Sequence, residues 1–198
     1  MILVDKAKRA LDRAQSEGDS IQRSLWLAKA ADYAIKGRAV MVGGAAVNLH
    51  TGSYRPTDID MCAYLNQSDR QAMVQLGFDN TQGDHFSFEF EDGQIWLVEF
   101  PASQVDGDVS SIQLSRDDSL DVISLESLIV DRTLQATDGT GVTFDEAVRL
   151  CVAAYEEANW AWVSEEIERR STVEPGLGLQ DVYSRIMLRT RSLLTTLG

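Results

Sequence analysis

The sequence predicts an α+β fold: a mixed, α/β-type sheet with helices before it and a helical appendage after it. Three observations carry this. Ala39 to Val42 is an apolar run followed at once by Gly43, Gly44 and a short helical stretch, which reads as a buried strand turning into a helix. His85 to Phe90 alternates apolar and polar residues, and Gln94 to Phe100 answers it across Asp92-Gly93, a hairpin pattern. From Ser124 onward every element has a helical period. The length suits one domain with a small attachment and is enough to bury a proper core. The expected division is residues 1–150, with the N-terminal helices, and residues 151–198, a helical region packed on it.

Composition narrows the function classes. Apolar and charged fractions, 44% and 25%, are ordinary for a soluble globular protein. No apolar run is long enough to span a membrane and no secretory leader is present, so the expected setting is the cytoplasm. Cys62 and Cys151 match no metal-ligand spacing and read as buried free thiols. The formal charge of −13 repels a nucleic-acid backbone unless cations are gathered locally, so nucleic acid is not favoured as a partner. A salt-adapted or GC-rich source would give the same balance, in which case charge says nothing of partners. The four lysines, Lys6, Lys8, Lys29 and Lys36, all precede the central strand. Any later cation that grips a phosphate must therefore be an arginine.

Taken in order, Val4 to Gln15 reads as a helix. Ser20 to Ile35 is a second, capped by Asp19 or Ser20 and stopped by Gly37. Trp26, Ala30 and Tyr33 share a face of it that suits core packing. After the central strand, Ala45 to His50 is helical and stops near Gly52. A polar loop with Tyr54, Arg55, Pro56 and Thr57 leads to a strand beginning Asp58-Ile59-Asp60. Ser68 is expected to cap a short helix, Asp69 to Leu76, ended by Gly77. The hairpin follows, with Asp92-Gly93 predicting a type I′ turn. Its second strand is apolar enough to predict a central place in the sheet, with Glu99 its only charge. Ser110 to Leu114 and Leu120 to Ile123 read as short strands. Ser124 caps a helix from Leu125 to Ala136, with Leu128, Ile129 and Thr133 inward. Thr143-Phe-Asp-Glu146 reads as a capping box opening a helix to about Asn159. Trp160 opens another, to about Ser171. Pro175 to Gly178 breaks the chain. Asp181 to Leu197 is amphipathic, with Val182, Ile186, Leu193 and Leu197 in one stripe and Arg185, Arg189 and Arg191 as a solvated basic face.

The stretch with chemistry in it is VMVGGAAVNLHTGSYRPTDIDMCAY, Val40 to Tyr64. In a strand, residues two apart share a face, so Asp58 and Asp60 stand side by side with Ile59 turned away. Two carboxylates so close repel unless a cation joins them, and magnesium prefers carboxylate oxygen. Alone, a Gly-Gly pair is a turn and an Asp-x-Asp is a strand end. In this order, with strand and helix where each is needed, the stretch resembles the nucleotidyltransferases of the DNA polymerase beta superfamily. Thirteen residues separate Gly44 from Asp58, the long end of that family's spacing. The string GGAAVNLHTGSYRPTDID is most similar to small bacterial and archaeal enzymes related to abortive-infection and toxin–antitoxin nucleotidyltransferases. The match is specific over Val42 to Asp60, looser to about Leu150, and weak outside.

The resemblance implies an activity: transfer of a nucleoside monophosphate from a nucleoside triphosphate to an acceptor hydroxyl, with release of pyrophosphate. It implies two magnesium or manganese ions held by Asp58 and Asp60. A third carboxylate comes from the neighbouring strand, and Glu99 is the candidate as ligand or proton acceptor. The family more often has Asp there, which leaves the role of the longer Glu99 open. Gly43 and Gly44 would let phosphate approach the backbone at a helix N-terminus. Arg55 and Arg132 would hold the outer phosphates, and Thr57 would fix the loop or bind phosphate. Arg132 lies in LESLIVDRTLQA, which resembles a family helix with a basic residue there; its other reading is a solvated helix residue. His50 and His85 read as structural. The acceptor is open among a protein hydroxyl, an RNA end and a small molecule. The alternative function is a nucleotide-binding or antitoxin-like interaction module with the same fold and no turnover, and it gains if Glu99 points away from the Asp pair.

Overall fold

The computed structural model describes residues 2–197, with the backbone alone at Ile2 and Leu197. By contacts the chain forms two units: one from the stretches up to Ala46 and Arg55–Ile123, the other from Val47–Tyr54 and everything from Ser124 onward. The division thus falls after Ile123 instead of near residue 150. Position 150 lies inside a continuous helix, Gly141–Ala153, whose contacts are with the helices around it.

The first unit is α+β. Helices α1 (Ile2–Ser16) and α2 (Ser20–Ala34) pack on each other. Asp19 caps α2, its carboxylate accepting from the amides of Ile21 and Gln22. Strand β1 (Val40–Val42) follows, and α3 (Gly43–Thr51) begins directly from it. Next come β2 (Asp58–Cys62), α4 (Gln67–Gln75), β3 (Asp79–Gln82), β4 (His85–Glu89), β5 (Ile95–Ala102), β6 (Val109–Gln113) and β7 (Ser119–Ile123). The strands form one seven-stranded mixed sheet in the order β3-β4-β5-β2-β1-β7-β6.

Alternation sorts the side chains of this sheet. Ile59 and Met61 of β2, Val98 of β5, Phe86 of β4 and Met41 of β1 are fully buried, and registers Ile59↔Val98↔Phe86 and Met61↔Met41 put them on one face. Helix α2 lies against β2, β5 and β7. The opposite face carries Asp58, Asp60, Leu97 and Glu99, none of them fully buried.

Local chemistry departs from the sequence reading in several places. The cap of α4 is Asn66, in a reciprocal capping box with Asp69; Ser68 lies inside the helix and donates to Asn66. The β4–β5 turn is not type I′. That turn needs positive φ at both central residues, yet only Gly93 has it, at 80°, and Lys36 is the one non-glycine residue described with positive φ. Instead Gly93 N donates to Phe90 O and Phe90 N to Gln94 O, the pattern of a three-residue loop closed by glycine. Strand β5 is one-sided: Trp96, Val98 and Phe100 are buried, while Ile95 is 61% exposed. Strand β3, sequence DNTQ, is wholly exposed and has no apolar alternation by which to be read.

The second unit is helical: α5 (Leu125–Gln135), α6 (Gly141–Ala153), α7 (Trp160–Val173) and α8 (Leu179–Leu197), with the last turn of α3. Ser124 caps α5 as expected. The cap of α6 is Thr140 rather than Thr143; its hydroxyl accepts from the Thr143 amide. Helix α6 ends at Ala153, and Asn159 caps α7 separately. Leu128, Ile129, Cys151, Val163, Ile167 and Ile186 form the core. Burial pushes the Cys151 thiol up to about 12, in keeping with an inert interior thiol. Arg185, Arg189 and Arg191 are exposed. The expected stripe position Leu197 lies outside the described side chains.

Candidate active site

Asp58 and Asp60 stand on the same face of β2, each partly exposed, with Ile59 fully buried between them. The burial of Ile59 fixes which way the carboxylates point, because a one-residue slip would move it out of the core. Beside them runs β1. Val42 is the register partner of Asp60, so the chain turns into α3 directly next to that carboxylate.

Gly43 makes this turn with φ of 64°, a conformation that costs any residue with a Cβ. It is also pressed against Asp60. A Cβ added at Gly43 would overlap the carboxylate, lying 2.7 Å from Asp60 Cγ and 2.9 Å from its Cβ. Glycine is therefore required twice, by backbone and by space. The N-terminus of the nine-residue α3 opens here, and its first amides are the kind of unsatisfied donors that favour anions. Gly44 is its second residue.

Strand β5 runs parallel to β2 with Glu99 as the register partner of Asp60. The expected neighbouring-strand carboxylate thus lies beside the pair. Its side chain is engaged elsewhere: Glu99 Oε1 lies 2.9 Å from Nδ1 of His85, the register partner of Glu99 on β4. Glu99 keeps 27% of its side-chain surface and His85 52%. Glu99, the only charge of β5, is not buried alone, since its face of the strand is open, with Ile95 and Leu97 exposed. Among the described residues no three His, Cys, Asp or Glu side chains are placed to hold a metal together.

His85 belongs to this row, and sequence reasoning set it aside as structural. The sequence carried no signal for this: the expected two-residue turn at Asp92-Gly93 would set His85 opposite Phe100, and only the three-residue loop sets it opposite Glu99 and Ser87 opposite Leu97. His50 sits in the last turn of α3.

The remaining residues divide by unit. Arg55 and Thr57 lie in the first unit on the loop before β2, both exposed. Arg132 lies on α5 in the second unit, where it donates to Gln135 at 2.7 Å and faces Glu146 at 3.5 Å. No helix among the described residues is long and apolar enough to cross a membrane.

No family model matches the sequence, and no curated protein matches it significantly. Among solved structures, the chain is similar to the crystal structure of an antigenic nucleotidyltransferase-like protein from Paracoccidioides brasiliensis, with 12% identity and a TM-score of 0.49, over 86% of this chain and 93% of that one. At that overlap the likeness assigns neither family nor function.

Proposed function

We propose that the chain is a metal-dependent nucleotidyltransferase that moves a nucleoside monophosphate from a triphosphate onto an acceptor hydroxyl. The observation that carries this is Gly43 folded against the Asp60 carboxylate: it joins an aspartate pair to the start of a helix in one place. An anion at that helix start and a cation on the pair would then be neighbours, as a metal–triphosphate complex requires.

The donor set fits magnesium. That ion keeps several waters and is usually bound by one or two carboxylates together with substrate phosphates. Asp58 and Asp60 supply such a pair from a rigid strand. Bound there, magnesium or manganese would supply charge stabilisation for displacement at the α-phosphate. The chain's own groups do the rest. Gly43 and Gly44 admit phosphate to the backbone, and Arg55, exposed on the adjoining loop, offers a paired donor for the outer phosphates. Thr57 holds the loop or adds a hydroxyl. Arg132, on α5 of the second unit and engaged with Gln135 and Glu146, rests for this role on the resemblance of its helix alone. Glu99 serves as third ligand or proton acceptor only by leaving His85. Asp58 and Asp60 already share one face of β2.

Calorimetry with magnesium and each of the four ribonucleoside triphosphates tests this reading. Joint binding of metal and nucleotide is expected, and Asp60→Asn should abolish most of it. Binding that survives Asp60→Asn would remove the metal site. Incubation with α-labelled triphosphate and cell extract then asks for transfer and identifies the acceptor as protein, RNA or small molecule. One observation favours the second reading, a nucleotide-binding interaction module without turnover: the hold of His85 on Glu99. Metal-dependent nucleotide binding with no labelled product would select it.

A further inference from the structure

The helical layer of the first unit holds a concavity apart from the acidic pair. A cavity of about 370 Å³ opens there among α1, the end of α2 and α4. Its apolar walls are Leu3 and Val4 of α1, Ala34 of α2, and Ala72 and Leu76 at the end of α4. Leu3 and Val4 keep 38% and 48% of their surface in solvent, a cost that burial against a ligand would relieve. The Tyr33 ring also lines the cavity, but its hydroxyl is turned away to donate to Asp118 at 2.5 Å.

The charge of the lining runs against the composition. The chain has 31 acidic and 18 basic residues, yet the cavity is lined by Lys8 and Lys36, two of the four lysines, and by no carboxylate. Both lysines are exposed. Lys8 forms no ion pair with Asp5 or Asp12, the acids one turn away on α1. Lys36 lies 4.0 Å from Asp69 Oδ1, a long ion pair beyond hydrogen-bond distance, while Arg38 holds the other oxygen of Asp69 at 2.6 Å. Lys36 keeps 61% of its side-chain surface in solvent at the cavity rim. Its φ of 71° is unusual for a residue with a side chain, and glycine would hold that backbone more cheaply. The lysine side chain is what glycine would lack.

Cavities that take small molecules run from about 300 to 1,000 Å³, are mostly apolar, and carry a few placed polar groups. This one sits at the small end of that range, too small for a partner's helix. We propose that it binds a small anionic amphiphile: a carboxylate or phosphate head between Lys8 and Lys36, with a short apolar body against Leu3, Val4, Ala72 and Leu76. The site is independent of the nucleotidyltransferase reading and stands or falls without it.

Titration of the isotope-labelled full chain with octanoate, octyl phosphate and neutral octanol, followed by amide shifts in NMR, tests this. The two anions should shift amides of α1, the end of α2 and α4, and should bind at least about tenfold more tightly than octanol, the loss typical of one charge-assisted contact. Whichever anion binds more tightly identifies the head group. Lys8→Gln with Lys36→Gln should bring the anions to the affinity of octanol. Ala72→Phe, which fills the cavity, should remove all three. If the double variant fails to fold, Lys8→Gln alone, at an exposed helix position, keeps the test. Octanol binding as well as the anions, unchanged affinity in the glutamine variants, no binding by the wild type, or shifts that map elsewhere would each overturn the proposal.

Discussion

The two faces of β2 and β5 differ although they are built from the same few residues. On one face Ile59, Met61 and Val98 are fully buried. On the other, one residue along each strand, Asp58, Asp60 and Glu99 remain partly in water. The apolar face holds the strands in place; the acidic face uses that placement. The contrast teaches that stability and chemistry can be separated here by single-residue steps. Each substitution below asks whether that separation is real.

The largest effect is expected from Ile59→Ala. It removes a fully buried side chain and should lower stability by about 2–5 kcal/mol. Its neighbour Asp60→Asn should leave the melting temperature nearly unchanged while abolishing magnesium-dependent nucleotide binding. Paired thermal melts and calorimetry check both. A loss of stability in Asp60→Asn as large as that in Ile59→Ala would break the comparison.

Gly43→Ala should be felt on both faces at once. A left-handed backbone with a Cβ costs about 1–3 kcal/mol, and the added carbon meets the Asp60 carboxylate. Both a lower melting temperature and weaker nucleotide binding are expected. A variant that lost neither would show that the close approach of Gly43 to Asp60 is not kept in solution.

Arg55→Ala should be smaller and confined to binding, because Arg55 is exposed. A charge-assisted contact is worth about 1.5–3 kcal/mol. Triphosphate binding should weaken by about tenfold or more, monophosphate binding by less. Equal weakening of the two ligands would place Arg55 away from the outer phosphates.

How much of this was legible follows from what each feature depends on. The position of Asp58 and Asp60 could be read because strand alternation is local and Ile59 between them is apolar. The junction at Gly43 could be read because a strand, two glycines and a helix follow one another without a gap. Glu99 was correctly put on the strand beside the pair, and its register with Asp60 agrees with that. Its partner was not legible. Contact between His85 and Glu99 depends on the register of a hairpin whose turn is not the one that Asp92-Gly93 suggests. The contact division after Ile123 was not legible for a similar reason: α5 and α6 carry ordinary amphipathic patterns, which show that a helix buries a face and not what covers it. Strand β3 was invisible because an exposed edge strand has no need of apolar alternation.

The smallest expected effect, and the one that separates the two readings of function, is that of Glu99→Gln. Glu99 and His85 are both partly exposed, so their contact should add little, at most about 1 kcal/mol after screening. The substitution keeps shape and a hydrogen-bond acceptor for His85, so the metal-free melting temperature should barely move. The informative measurement is the same melt with magnesium and triphosphate. If Glu99 leaves His85 to complete the metal site, the ligand-induced rise in melting temperature should shrink in Glu99→Gln, and His85→Ala, which frees the carboxylate, should preserve or enlarge it. If Glu99 only orients His85, Glu99→Gln should keep the ligand-induced rise, and any loss of transfer should be matched by His85→Ala. Opposite responses of the two variants would make Glu99 a part of the acidic face proper. Matched responses would make the His85–Glu99 contact the unit that acts, with Asp58 and Asp60 holding the metal alone.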